Sequence, residues 1–349
     1  MKGYDFDVIK SQYNLRDEVA AVLGQPKKHT GKYDQYACPI NEESTPDGAF
    51  TVYDDRYYCF SCGEFGDVLD FFAFVKGVEL KAILSEHQIK MTPDELVRHR
   101  EKIAGAKLIV KQKADADYRT ALEKLHAARK WKVYHDNLTQ HTRGIWRSRG
   151  IPDVWQDIWE LGFSKNFRYG IKGGVATSDT ISIPIKSNKG KVLTIRHRLL
   201  NALDGQRYRP DQEGLGAFPF LCNTDMEKAE NLIIVEGEIK SQNVFIKYDD
   251  INFQVVGVPS KSMMNDVVRG AKGRNLFVIP DPDALRLKAK YKDTAHKDRA
   301  IKTIAETREA LKFAGARVFV PPIKIDDWIL SEEMSTREFR MILNQARVA

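Results

Sequence analysis

Three short apolar, β-branched runs in the C-terminal half of the chain each stop on acids. Leu232-Ile233-Ile234-Val235 runs into Glu236-Gly237, and Leu276-Phe277-Val278-Ile279 into Pro280-Asp281-Pro282-Asp283. Arg317-Val318-Phe319-Val320 is followed, after two prolines, by Lys324-Ile325-Asp326-Asp327-Trp328. Runs of this kind suit strands buried on both faces, as in a parallel sheet. After the first run, Ile239, Val244, Phe245 and Tyr248 fall at helical spacing. Open α/β sheets place their chemistry at the C-terminal ends of such strands. A single strand-end Asp is ordinarily a turn or cap residue. Glu, Asp-x-Asp and Asp-Asp delivered to one edge offer several hard oxygens to a divalent cation such as Mg²⁺.

The chain has 349 residues, enough for two or three domains. No apolar run is long enough to cross a bilayer, and the N-terminus lacks a signal-peptide core, so a soluble cytoplasmic protein is expected. The formal net charge of +7 is uneven: −7 over residues 1–97, +12 over 98–213 and +2 over the remainder. The basic excess therefore lies directly before the strand-end acids. That arrangement suits a nucleic-acid or triphosphate surface beside a Mg²⁺ site.

Residues 5–24 have helical spacing, stopped by Gly24. Phe50 to Tyr53 and Arg56 to Phe60 read as a hairpin across Asp54-Asp55, followed by a Ser61-Cys62-Gly63 knuckle and a helix starting near Asp67. Cys38 with Cys59-x-x-Cys62 supplies three thiolates, and structural zinc takes four ligands. His29 or a water could be the fourth; Asn41 is a poor ligand. The alternative is a finger held without metal by apolar residues such as Phe60, Leu69 and Phe72. Residues 92–140 read as exposed helix connecting this part to the next.

In the basic middle, Arg143, Arg147 and Arg149 interleave with Trp146, a pattern that suits phosphate contact with base stacking and equally a core Trp with a charged rim. Ile181 to Ile185 and Val192 to Leu199 read as strands joined at Asn188-Lys189-Gly190. Arg196 and Arg198 then share one face, and Arg207-Tyr208-Arg209 repeats the device.

IIVEGEIK, FVIPDPDA and KIDDWIL, in this order, resemble a topoisomerase–primase (Toprim) domain. The block from Cys38 through CFSCGEFGDVLDFF resembles the zinc-binding domain of DnaG-type bacterial and phage primases. Arg149-Gly150-Ile151, Leu161-Gly162-Phe163, Ile183-Pro184-Ile185, Arg198 and Arg207-Tyr208 resemble that family's basic segments, so the likeness covers residues 5–80 and 141–330. Three departures stand out. Asn41 replaces a histidine, Lys240 stands where primases often carry an acid, and Arg209-Pro210 replaces Asn-Ser.

The resemblance implies a mixed α+β and α/β chain. Its parts would be a zinc-ribbon-like domain (1–90), a helical linker (91–140), a basic α+β subdomain (141–225), a Rossmann-like Toprim sheet (226–330) and a C-terminal helix (331–349). It implies a DNA-directed RNA polymerase that makes primers from ribonucleoside triphosphates on single-stranded DNA, with Mg²⁺ or Mn²⁺ and with Zn²⁺. Glu236, Asp281 and Asp283 would be catalytic and hold the metal, with Asp326 and Asp327 as further ligands. Glu236 could instead be a general base. Arg149, Arg196, Arg198, Arg207, Tyr208 and Arg209 would hold triphosphate or template. No G-x-x-x-x-G-K-[ST] occurs, so no P-loop helicase is fused to this sequence. With one helix expected after Asp327, a separate replicative helicase and a phage or mobile-element setting are anticipated. A Toprim nuclease or nicking enzyme, and a non-catalytic DNA-binding module, are the other readings.

Overall fold

A computed structural model describes residues 6–39, 48–60, 64–86, 93–171, 174–223, 230–250, 252–287, 294–331 and 335–348. They form two units, Met1–Ala114 with Lys290–Ala300, and Asp115–Ala289 with Ile301–Ala349.

The first unit begins with α1 (Phe6–Lys10) and α2 (Leu15–Leu23). The single helix expected over 5–24 is divided because Asn14 takes an extended conformation and its side chain accepts from the backbone N–H groups of Arg16 and Asp17. An antiparallel sheet follows in the order β1 (Lys28–His29), β2 (Asp34–Tyr36), β3 (Phe50–Val52), β4 (Tyr57–Cys59), β5 (Phe65–Gly66). Then come α3 (Val68–Lys76), opened by a capping box of Asp67 and Asp70, and α4 (Leu80–Glu86). Phe50, Tyr57, Leu69, Phe71 and Ile83 are buried together with Cys38 and Cys59. The expected core therefore exists around Leu69 and Phe72, but Phe60 is 66% exposed.

Helix α5 (Pro93–Ala128) carries the chain from the first unit into the second. The linker expected over 91–140 is in part core. Leu125 of α5 and Trp131 of α6 (Lys130–Asp136) are buried with Val192, Ile195 and Leu215 of the second unit. Two short helices, α7 (Gln140–Arg147) and α8 (Asp153–Ile158), lead into the antiparallel sheet β6 (Gly162–Ile171), β7 (Gly174–Lys186), β8 (Val192–Leu199), β9 (Tyr208–Pro210).

The remaining chain is the α/β part expected from the three apolar runs. It comprises β10 (Phe220–Leu221), β11 (Asn231–Glu236), α9 (Glu238–Tyr248), β12 (Phe253–Val258), α10 (Lys261–Gly270), β13 (Asn275–Ile279), α11 (Thr294–Ala314), β14 (Arg317–Val318), α12 (Ile325–Ser331), α13 (Thr336–Asn344) and β15 (Arg347–Val348). The strand order is β10-β12-β11-β13-β14-β15, parallel from β12 to β14 and antiparallel at both edges. Side chains alternate between two cores. Ile233, Val235, Phe277 and Ile279 pack with Ile239 and Val244 of α9 and with Trp146 and Ile183. Leu232, Ile234, Leu276 and Val278 pack with Met264 and Val268 of α10 and Leu311 of α11. Burial on both faces explains the unbroken apolar runs. Strand β14 stops at Val318, although Phe319 still donates to Val278 O at 3.0 Å, because Pro321 and Pro322 have no N–H to continue the ladder. Among the described residues, no helix is long and apolar enough to cross a membrane.

One buried polar network ties α6 to the antiparallel sheet. Asp211 accepts from Tyr134 Oη at 2.6 Å and from His197 Nε2 at 3.2 Å, and pairs with Lys130 at 3.1 Å. His197 Nδ1 lies 2.8 Å from Thr180 Oγ1, and Phe167 stacks on the imidazole. Burial pushes the Asp211 carboxyl up, but the His197 and Tyr134 bonds, with Lys130 nearby, outweigh this and hold it at about 2. Burial lowers His197 below its ordinary 6.5, against the opposing pull of Asp211. Both groups thus bind protons less readily folded than unfolded. Their contribution is full above 6.5, declines as pH falls below it, and is lost further as pH approaches about 2. The unfolding temperature is therefore expected to be lower at pH 5 than at pH 7.5. His197→Gln should flatten that dependence; an unchanged pH profile in this variant would count against the network.

Candidate active site

The C-terminal ends of β11 and β13 and the start of α12 open on one pocket of about 310 Å³. Gly237 lets the chain turn sharply from β11 into α9, with φ +107°, and so leaves Glu236 at the strand end. Glu236 Oε2 accepts from the Asp281 backbone N–H at 3.2 Å, which fixes the first two acids side by side. Asp326 and Asp327 line the same pocket from the first turn of α12, where carboxylates are favoured by the helix dipole. Burial, reinforced by the charge of Asp281, raises the pKa of Glu236. Burial likewise raises Asp326, against the pull of Lys240. Asp326 Oδ1 is buried with no hydrogen-bond partner. Trp328, next in the chain after these acids, stacks on Phe319 with ring centroids 5.6 Å apart.

Arginines from the antiparallel sheet face these acids. Arg196 and Arg198 of β8 project into the pocket together, as their period-2 spacing predicts, and Arg207, Tyr208 and Arg149 join them. Arg149 is fixed by an unusual backbone. Its carbonyl accepts from Asn243 Nδ2 at 2.8 Å, and Gly150 follows at φ +78°. A Cβ on Gly150 would lie 2.1 Å from Asn243 Oδ1, so this approach to α9 needs glycine. Burial, followed by the charge of Arg198, lowers the pKa of Arg149. Among the described residues, no carboxylate lies within ion-pair distance of Arg149, Arg198 or Arg207.

The other arginines are committed elsewhere. Arg143 pairs with Asp157 and Arg147 with Asp153, both at 2.7 Å, while Trp146 is fully buried and donates to Gly162 O. Of the two readings of that segment, the core anchor with a charged rim is the correct one, and only Arg149 turns to the pocket. Arg209 bonds Asp204 and Gln206 and lies over Tyr169, away from the acids. Arg196 lines the pocket but pairs with Glu238, a buried carboxylate at the start of α9, and its guanidinium lies over the Tyr208 ring. Burial, then the charge of Glu238, pushes the Tyr208 hydroxyl up to about 12. Asp283 does not line the pocket; it pairs with Lys261 at 3.1 Å. Sequence reasoning missed Glu238 and Lys324 as pocket residues, though both sit inside the motifs VEGEIK and KIDDW. Their signal was their distance of two residues from an acid already singled out.

The first unit keeps Cys38 and Cys59 fully buried in one core, a setting that suits soft thiolate ligation of zinc. Cys62 and Asn41 lie outside the described residues. His29 is exposed, with Nδ1 2.6 Å from Asp34, and among the described residues it forms no three-ligand group with Cys38 and Cys59.

Residues 4–98 match the family model of the CHC2 zinc finger of DnaG. The chain is 24% identical over 196 residues to the DNA primase of Buchnera aphidicola, covering 50% of this chain and 33% of that protein. It is 30% identical over 171 residues to the DNA primase of Clostridium acetobutylicum, covering 46% and 26%. Over these stretches the chain is similar to bacterial DNA primases. It spans about a quarter to a third of the length of the curated DNA primases it matches. Among solved structures, it is similar to the zinc-binding and RNA polymerase domains of the Aquifex aeolicus primase, with a TM-score of 0.44, 16% identity, and coverage of 99% of this chain and 87% of that one. It is also similar to a DnaG primase catalytic domain bound to single-stranded DNA, with a TM-score of 0.46, 17% identity, and coverage of 67% and 83%.

Proposed function

We propose that this chain is a DNA primase that joins ribonucleotides on a single-stranded DNA template, serving the replication of a phage or mobile element. The observation that carries the reading is one pocket in which strand-end carboxylates face arginines without carboxylate partners. The first set suits a hard cation and the second suits phosphate.

The residues fit Mg²⁺ or Mn²⁺. Glu236 and Asp281 are adjacent, and Asp326 presents a buried oxygen without a partner. Among the described residues, no three acids converge on one point. Mg²⁺ commonly takes one or two carboxylates and completes its shell with water and substrate phosphates. Glu236 and Asp281 would hold such an ion, with Asp326 or Asp327 supplying a further ligand and Asp283 an outer one. When bound, the ion supplies charge stabilisation to the phosphoryl group and the departing pyrophosphate. Arg149, Arg198 and Arg207 bind and orient the triphosphate or the template backbone, and Tyr208 holds Arg196 in place from below. In the alternative in which Asp281 and Asp326 hold the ion, Glu236 would instead be the general base that takes up the proton of an attacking 3′-hydroxyl. The CHC2-type finger, with zinc on Cys38, Cys59 and Cys62, would hold the template, and unwinding would come from a separate helicase.

The deciding experiment is incorporation of labelled ribonucleotides on mixed-sequence single-stranded DNA with Mg²⁺. Short labelled products support a primase; cutting of the template instead would favour the nuclease reading. The arginines have their own test. If Arg198 neutralises template phosphate, Arg198→Ala should make the salt dependence of oligonucleotide affinity shallower by about 0.7 in log–log slope. Anisotropy of a labelled oligonucleotide across a KCl series measures this. An unchanged slope with weakened nucleotide affinity would assign Arg198 to the triphosphate.

A further inference from the structure

Lys240 is out of place by ordinary rules. It lies in the first turn of α9, where the helix dipole disfavours a cation. Its stem crosses Gly237, with a Cβ there only 3.5 Å from Lys240 Cδ, and its ammonium bonds Asp281. The pair is largely shielded, with 15% and 18% of the two side chains exposed. The same charge opposes the burial-driven rise in the pKa of Glu236, Glu238 and Asp326. One ammonium thus bonds Asp281 and acts on Glu236 and Asp326, three carboxylates that a divalent ion would need.

We propose that Lys240 is a resident cation of this site and competes with the divalent ion for Asp281, so that metal uptake requires the Lys240–Asp281 pair to open. The proposal rests on the reading of these acids as metal ligands. A displaced ammonium has a second destination in the pocket. Asp326 Oδ1 is buried, lacks a hydrogen-bond partner, and already feels the charge of Lys240. Two alternative carboxylates for one flexible cation make a two-position element, and the affinity for metal is reduced by the fraction of chains in which Asp281 is covered.

The test is titration of the full chain with Mn²⁺ alone, reading free Mn²⁺ by electron paramagnetic resonance, without nucleotide or DNA. Lys240→Met should bind Mn²⁺ more tightly than the unmodified chain, by on the order of tenfold. Lys240→Arg, which keeps the charge, should stay near the unmodified affinity, and adding Asp281→Asn to Lys240→Met should remove the gain. Lys240→Gln replaces the Met variant if the latter does not fold. Coincident or weaker Mn²⁺ binding by the neutral variants overturns the proposal, as does an absence of Mn²⁺ uptake by every variant. Primer synthesis by the unmodified chain is scored on the same preparation. Synthesis with coincident isotherms sinks the Lys240 inference alone, whereas neither synthesis nor uptake sinks the functional reading with it.

Discussion

Asp281→Asn is expected to abolish primer synthesis, by about a thousandfold or more, while the chain still folds. Asn keeps the shape of the side chain and leaves intact the backbone N–H that bonds Glu236. It removes the charge that faces Lys240 and that would hold a divalent ion. Because the change is local, template binding through the arginines should be retained. Synthesis is measured with labelled ribonucleotides and binding by anisotropy on the same protein. Full synthesis by Asp281→Asn would show that this strand-end acid has no part in the chemistry. Asp283→Asn is the informative companion. Asp283 is held by Lys261 outside the pocket, so a smaller loss is expected. An equal loss would mean that the Lys261 pair opens when substrate binds.

The second large effect concerns stability. Glu238 is buried and pairs with Arg196, itself covered by Tyr208. Glu238→Ala leaves a guanidinium without its partner in a shielded site, at a cost of about 3–5 kcal/mol. For a unit of this size the unfolding temperature should fall by about 10 °C. Removing both charges, as Arg196→Met with Glu238→Leu, should restore most of the loss, since paired apolar replacements of buried ion pairs are often near neutral. Thermal melts of Glu238→Ala and of the double variant decide this. A Glu238→Ala melt indistinguishable from the unmodified chain would show the pair to be hydrated and nearly neutral.

The parallel sheet was readable because its strands are buried on both faces, which writes unbroken apolar runs into the sequence. The convergence of Glu236, Asp281, Asp326 and Asp327 on one pocket followed from where those runs end. What a side chain does after leaving the backbone was less legible. Arg196 and Arg198 have the same chemistry and share a face, yet only Arg196 meets a carboxylate, because Glu238 lies across the pocket from it. Arg147 and Arg149 look alike in the sequence, but Asp153 takes the first, and the Gly150–Asn243 approach turns the second inward. These outcomes depend on partners far along the chain, and local pattern carries no record of them.

The stacking of Trp328 on Phe319, directly after Asp326 and Asp327, gives the pocket an optical consequence. The chain's other tryptophans are Trp131, Trp146, Trp155 and Trp159, all outside α12. With those four replaced by Phe, the emission of the remaining indole would report on the acids beside it. Occupancy of the site could then be followed in real time, without a label, while metal, nucleotide and template are added in turn.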